Sequence, residues 1–280
     1  MEKEKGKFAV KIVDVFLRYL PIAKQKVFYD NEVWRVVVEK PIGVLAWRVI
    51  LAILVFGEKE REVYRVPAEK FYAFIRTTNK QAIRKALYEL VQCEYVAENK
   101  KEEGMNYYVR FLIEPELREK NGMLTFKVHE SFGKLKEDGL WFYFPFVYFL
   151  RSQASLNLHA FLSANSSLRK ARESTLIRRA ELNNVKMSNR RIALKQALDE
   201  LVRVGFLEGY EVQGKGEERI YILQRPDSSV LKARALERLS RFYEVVEVLK
   251  EKQKQRQKES MRRRRELEKR VKEWEEVGEF

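Results

Sequence analysis

Two ten-residue windows, 111 positions apart, carry the same alternation of apolar and polar positions. Ala82-Ile83-Arg84-Lys85-Ala86-Leu87-Tyr88-Glu89-Leu90-Val91 returns as Ala193-Leu194-Lys195-Gln196-Ala197-Leu198-Asp199-Glu200-Leu201-Val202, with six positions identical. In each window the apolar residues fall at i, i+3, i+4 and i+7, the stripe of an amphipathic helix. The register continues without a gap: Tyr95-Val96 aligns with Phe206-Leu207, Val109 with Ile220, Phe111 with Ile222 and Pro115 with Pro226. One supersecondary unit is used twice.

The elements around the repeat follow the same order in both copies. In the first, residues 42–56 form an apolar helix with Leu45, Val49 and Ala52 on one face and Arg48 opposite, closed by Gly57. Residues 62–66 alternate like a short strand. Pro67 opens a second helix at 68–75, and Thr77-Thr78-Asn79 caps a third that runs to about Val91. Residues 95–96, a polar turn at 99–104 and residues 107–113 read as a β-hairpin. In the second copy, helices are predicted at 155–164 and 175–182. Ser188-Asn189 caps the third helix, Gly205 ends it, and residues 206–212 and 219–224 form a hairpin around Gln213-Gly214-Lys215-Gly216.

The flanking segments are also patterned. Residues 11–19 read as an apolar helix, and residues 27–29 and 33–38 as a hairpin with an Asp30-Asn31 turn; both are expected to pack on the first copy. Between the copies come a strand at 123–128, a helical piece around 130–137 and the aromatic run 141–150, read as core. From Ser228 onward the chain is helical by propensity. Leu231, Ala235, Phe242, Val245 and Leu249 form a stripe expected to dock on the second unit or on another chain. Residues 250–265 read as a solvated helix or disordered, and Arg262–Arg265 is an unbroken basic block that suits phosphates or an acidic partner.

Three helices followed by a hairpin predict a winged helix-turn-helix, whose third helix enters the major groove while the hairpin lies along the backbone. The expected fold is α+β and mostly helical, with two tandem winged-helix domains and a long charged C-terminal helix. Residues 1–120 are expected to hold an N-terminal extension and the first domain, 121–226 a connecting segment and the second, and 227–280 the charged helix with a disordered end. The outward positions of the third helices are Asn79, Lys80, Gln81, Arg84 and Lys85 in one copy and Ser188, Asn189, Arg190, Arg191, Lys195 and Gln196 in the other. Arg and Lys suit guanine, and Asn and Gln suit adenine. Lys100, Lys101, Lys215 and Arg219 on the wings suit phosphates.

Charge strengthens this picture. The 280-residue chain has a net charge of +15. Residues 227–280 supply only +4, leaving +11 on residues 1–226. The body itself is basic, which favours a polyanionic partner. Other chemistries are not signalled. The single Cys93 excludes an intrachain disulfide and cysteine metal clusters and reads as a core residue. His129 and His159 have no ligand partners at useful spacing. There is no phosphate-binding Gly-x-x-x-x-Gly-Lys-Ser/Thr loop, no His-x-His pair and no clustered carboxylate site, so a non-enzymatic protein without cofactors or metals is expected. Residues 1–7 are charged, with no apolar signal behind them, and no apolar run reaches the ~18 residues of a membrane span. The expectation is a cytoplasmic protein with no membrane partner.

Two winged helices in one basic chain without an ATPase loop resemble the iteron-binding plasmid replication initiators of the Rep and TrfA type. The resemblance covers roughly residues 41–226. It is carried by the apolar helix at 42–56, Val66-Pro67-Ala68-Glu69-Lys70-Phe71 and the capped helix at 79–91. It continues through Met123-Leu124-Thr125-Phe126-Lys127-Val128-His129-Glu130-Ser131-Phe132, residues 146–150, Arg151-Ser152-Gln153-Ala154 and residues 158–162. It ends with residues 188–201 and Gly205-Phe206. The first helix of the second module lacks the family's Leu-Tyr pair at His159–Leu162, and the long charged tail departs from the pattern. The resemblance implies an initiator that binds double-stranded origin repeats, with the second module dominating base contact. It further implies a homodimer through the first module that represses its own gene, opening of an AT-rich segment, and recruitment of host initiator and helicase. Ser188, Asn189, Arg190, Arg191 and Lys195 would carry the second module's contacts, and Asn79, Lys80, Arg84 and Lys85 the first's. A transcriptional regulator without replication activity and a protein-interaction adaptor remain open alternatives.

Overall fold

Val10, Lys11 and Ile12 alternate buried, exposed, buried, the period of a strand and not of a helix. The stretch 11–19, expected as one helix, therefore divides into strand β1 (Val10–Ile12) and a short helix α1 (Asp14–Arg18). The computed structural model describes residues 9–20, 22, 27–30, 32–60, 63–102, 106–136, 139–183, 186–216 and 218–277. Residues 1–7, Asn31, Glu62, Gly104 and Glu137, which enter the expectations above, lie outside them. Helix makes up about 52% and strand about 24%, so the chain is mixed α+β with helix predominating.

The predicted N-terminal hairpin is β2 (Val27–Asp30) paired antiparallel with β3 (Trp34–Glu39). The apolar stretch that follows is α2 (Val44–Phe56), buried on every side from Ala46 to Val55, as a helix without a polar face must be. Arg48, expected to face outward, is only 7% exposed. Its Nη2 donates to the Leu150 carbonyl at 2.6 Å. Burial, then repulsion from Arg76, pulls its pKa down to about 10. Gly57 ends α2 with φ −78, so it supplies room and not a left-handed turn. A Cβ there would run into the Ile53 carbonyl and the Tyr64 ring.

The first unit continues through β4 (Glu58–Glu60), β5 (Val63–Pro67), α3 (Ala68–Ile75), α4 (Lys80–Gln92), β6 (Glu94–Asn99) and β7 (Asn106–Arg110). The connector supplies β8 (Arg118–Lys120), β9 (Met123–Lys127), a 3-10 turn at Glu130–Lys136, β10 (Leu140–Phe142) and α5 (Phe144–Phe149). The second unit is α6 (Gln153–Ala164), β11 (Lys170–Arg172), α7 (Glu173–Arg179), α8 (Met187–Arg203), β12 (Gly209–Gln213) and β13 (Ile220–Gln224). Ser188 and Asn189 lie inside the first turn of α8 and do not cap it; Lys186 holds the N-cap position, and its carbonyl accepts from the Asn189 amide at 2.8 Å. Gly205 ends the helix with φ +79, where Phe206 and Gly205 amides return to the Leu201 and Val202 carbonyls, the paired closure that favours glycine.

The one charged residue identical in both windows has the same job twice. Glu89 Oε2 accepts from the Gly43 amide at the N-terminus of α2, at 2.8 Å. Glu200 accepts from the Arg151 and Ser152 amides at 2.6 and 3.2 Å and from Ser155 Oγ at 2.6 Å, at the N-terminus of α6. In each unit the third helix thus caps the first.

The units differ in their sheets. In the second, β11 pairs with β13 and the order is β11-β13-β12. In the first, β5 pairs instead with β9, in a sheet of order β4-β5-β9-β8. The chain after β7 meets the end of β9 through the Leu112–Val128 bridge, so the connector strand stands between the two elements that are neighbours in the second unit. The freed hairpin β6–β7 joins β2 and β3 in the order β2-β3-β6-β7.

Two elements tie the units together. β1 pairs with β10. The Phe16 ring on α1 packs on Trp47 and Tyr95 of the first unit, with centroids 5.6 and 5.0 Å apart. From the same helix Arg18 reaches the Ala164 carbonyl, and its own carbonyl accepts from Arg179. The N-terminal segment therefore packs on both units and not on the first alone. The C-terminal helix α9 (Ser228–Val277) buries Ala235 and Phe242 of the expected stripe, together with Leu239 and Val246, while Leu249 is exposed. It packs on α3 and α5, with Phe242 stacked on Phe56 at 5.5 Å. Arg234 and Arg238 donate to the Gly205 and Val204 carbonyls at the end of α8. From Glu251 to Arg270 every side chain that is described is exposed.

Candidate nucleic-acid interface

The α8 side of the second unit gathers several of the predicted residues. Arg191, Lys195 and Arg219 line a cleft of about 430 Å³ between α8 and the hairpin, with Ile192, Tyr210, Val212, Gly214 and Tyr221. Glu173, the first residue of α7 and 6% exposed, organises it. Arg191 Nε donates to Glu173 Oε1 at 2.8 Å, and its Nη2 donates to the Gly216 carbonyl in the β12–β13 turn at 2.9 Å. Arg219 stands 3.8 Å from the same carboxylate, and Tyr221 Oη donates to it at 3.3 Å. Burial, and then Glu173, raises the Tyr221 pKa. Arg191 thus pins the β12–β13 hairpin to α7 while leaving 42% of its side chain exposed.

One turn further along α8, Lys195 Nζ lies 2.8 Å from Asp199 Oδ2 and remains 70% exposed. Tyr210 Oη donates to Asp199 Oδ1 at 2.7 Å. These two partners hold the Asp199 carboxyl below its usual range, Lys195 first. Arg190 donates to the Asn183 carbonyl. Asn189 is exposed, as is Lys215 in the β12–β13 turn, where Gly214 and Gly216 take φ +80 and +61. The Ser188 side chain is not among those described.

In the first unit Asn79, Lys80, Gln81, Arg84 and Lys85 are all exposed on the first turns of α4. Asn79 Oδ1 caps the helix, accepting from Gln81 and Ala82 amides at 3.0 and 3.2 Å. Arg84 lies over the Tyr88 ring at 6.0 Å. Lys100 and Lys101 sit at the β6–β7 turn, where Lys100 pairs with Asp30 and Asn99 Oδ1 accepts from the Lys101 amide. This set contributes nothing to the α8 cleft.

Sequence reading did not single out Glu173, Asp199 or Tyr210. The signal available was an acid opening α7 and an acid four residues after Lys195, but their partners come from across the fold. Cys93 is buried, and burial pushes its thiol up to about 12. His159 is fully buried, with neither ring nitrogen hydrogen-bonded. Phe142 and Phe206 surround it at 4.9 and 4.3 Å, and burial, then Arg225, lowers its pKa to about 3, so it is a neutral core residue. Among the described residues no three His, Cys, Asp or Glu side chains are grouped to hold a metal ion, and no helix is long and apolar enough to cross a membrane. No protein-family model matches this chain, and no curated protein matches it in sequence.

Proposed function

We propose that this chain binds double-stranded DNA sequence-specifically through two winged-helix units, and serves as a plasmid or episome replication initiator that occupies origin repeats. One observation carries the reading. The order helix, strand, helix, helix, hairpin recurs in both copies, with β4 as an additional strand in the first, and each time the solvent-facing N-terminal half of the third helix is cationic. In this reading residues 1–120 hold the N-terminal extension and the first winged-helix domain, 121–226 the connecting segment and the second, and 227–280 the charged C-terminal segment.

Within this reading Asn189, Arg190 and Lys195 on α8, and Lys80, Gln81, Arg84 and Lys85 on α4, face the base edges. Lys215, Lys100 and Lys101 take phosphates. Arg191 and Arg219 hold the wing at its angle to α8, and Asn79 sets the start of α4. A second reading, a protein-interaction adaptor, is favoured by the apolar part of the α8 cleft, where Ile192 and Val212 are 57% and 45% exposed.

Selection of bound sequences from a random DNA pool tests the proposal. Tandem direct sites are expected of an initiator, a single inverted repeat of a transcriptional regulator. For DNA binding, affinity falls with salt at a slope of about 0.9 per phosphate contacted. Failure to enrich any sequence, with no salt dependence, would leave the adaptor reading.

A further inference from the structure

A second cleft, also about 430 Å³, opens where β10, the end of α6 and the start of α9 meet. Trp141, Tyr143, Arg169, Arg225, Asp227 and Ser228 are among its lining residues. Trp141 is 59% exposed, although Phe142 and Phe144 beside it are buried. Lys11 Nζ lies 5.6 Å from the centre of its ring. Lys11 covers part of the ring, and the rest of the indole stays open to solvent on the strand face.

The cations in the cleft meet carbonyls and a ring, Arg225 lying 5.5 Å from the centre of Phe206, but no carboxylate among the described residues pairs with them. Arg225 Nη1 donates to the Leu162 and Asn165 carbonyls at 2.9 and 2.8 Å, which fixes the guanidinium. Arg169 Nη1 donates to the Ser166 carbonyl at 2.8 Å. Neither arginine forms an ion pair with any described residue, and they repel each other. Burial, then Arg169, lowers the Arg225 pKa to about 10. Ser228 begins the 50-residue helix α9, whose N-terminal amides add to the positive potential. Asp227 is the one acid of the lining and opposes an anion there.

We propose that this cleft binds a nucleotide unit, its base against Trp141 and its phosphate on Arg169 and Arg225. A base has a π-face that stacks on an exposed indole, and a phosphate matches paired guanidiniums. Inorganic phosphate would leave the indole unused, and an uncharged ring would leave both arginines unneutralised. The volume falls within the roughly 300–1,000 Å³ of small-molecule sites. None of these residues belongs to the α8 cleft, so the inference stands apart from duplex binding.

Calorimetric titration of the full chain tests it, using adenosine monophosphate, adenosine, inorganic phosphate and a single-stranded oligodeoxynucleotide as probes. Adenosine monophosphate or the oligonucleotide is expected to bind more tightly than adenosine or phosphate. Trp141→Ala and Arg169→Ala, both at exposed positions, are each expected to weaken that binding by about fivefold or more, and Asp227→Asn to strengthen it. Tighter binding of the oligonucleotide identifies a strand as the source, and tighter binding of the mononucleotide a free ligand. Lys195→Ala is expected to weaken duplex binding while leaving this titration unchanged, which separates the two sites. No binding of either nucleotide probe at millimolar concentration, or unchanged affinity in both weakening variants with their folds intact, would overturn the proposal.

Discussion

Glu200 carries more of the second unit's structure than its place on an amphipathic helix suggests. Burial raises its pKa, but the hydrogen bonds from Ser155, Ser152 and Arg151 outweigh that and hold the carboxyl below its ordinary value of 4.5. The bonds to the ionised form stabilise the fold above pH 4.5, and this contribution is lost as pH falls through the depressed folded-state value. Glu200→Ala, which strands the N-terminal amides of α6, is expected to cost about 1–3 kcal/mol in chemical denaturation at pH 7, with the difference from wild type shrinking at acid pH. Arg191 and Lys195 should separate in the same way. Arg191→Ala leaves buried Glu173 short of a partner and is expected to lower stability by roughly 1–3 kcal/mol. Lys195→Ala breaks only an exposed pair, so stability should stay within about 0.5 kcal/mol. Its effect should be on DNA affinity, with the salt slope reduced by about 1. Equal thermal shifts for the two variants would contradict these roles.

At the scale of elements, α9 divides into a docked part and a projecting part. Phe242 fills a space bounded by Phe56, Phe74 and Tyr148, and Phe242→Ala is expected to cost about 3–5 kcal/mol. Removal of residues 251–277 should leave the denaturation midpoint unchanged, because the described side chains from Glu251 to Arg270 are exposed. The helices α2, α4, α6 and α8 lie within a few residues of their expected positions: α4 and α8 were legible from an apolar stripe, and α2 and α6 from mostly apolar runs that are buried all round. What was not legible depends on partners distant in the chain. The Leu150 carbonyl that receives Arg48 is 102 residues away. The pairing of β5 with β9 cannot be inferred from either strand's own alternation. On α9 Ala235 and Phe242 were legible, whereas the burial of Leu239 and Val246 and the exposure of Leu249 depend on the elements the helix packs against. At the candidate site the exposed cations were legible from helical spacing, whereas the buried acid that immobilises Arg191 was not.

At the scale of the molecule, α1, β10, α5 and α9 join the two units through one continuous core. Both α4 and α8 belong to that joined body, so their cationic faces are held in fixed relation within a single chain. The identical residues of the repeat account for the common core and for the Glu89 and Glu200 caps. The exposed residues differ, with Lys80 and Gln81 where the other unit has Arg191 and Ile192, so the proposed DNA target is two adjacent stretches of unlike sequence. Nuclease footprinting of the monomer on a site selected from a random pool tests this most directly. Simultaneous use of both faces predicts protection of about two helical turns, near 20 base pairs, shortened to one turn when Lys80, Arg84 and Lys85 are replaced together by alanine. Protection of one turn, about 10 base pairs, by the unaltered monomer would contradict it.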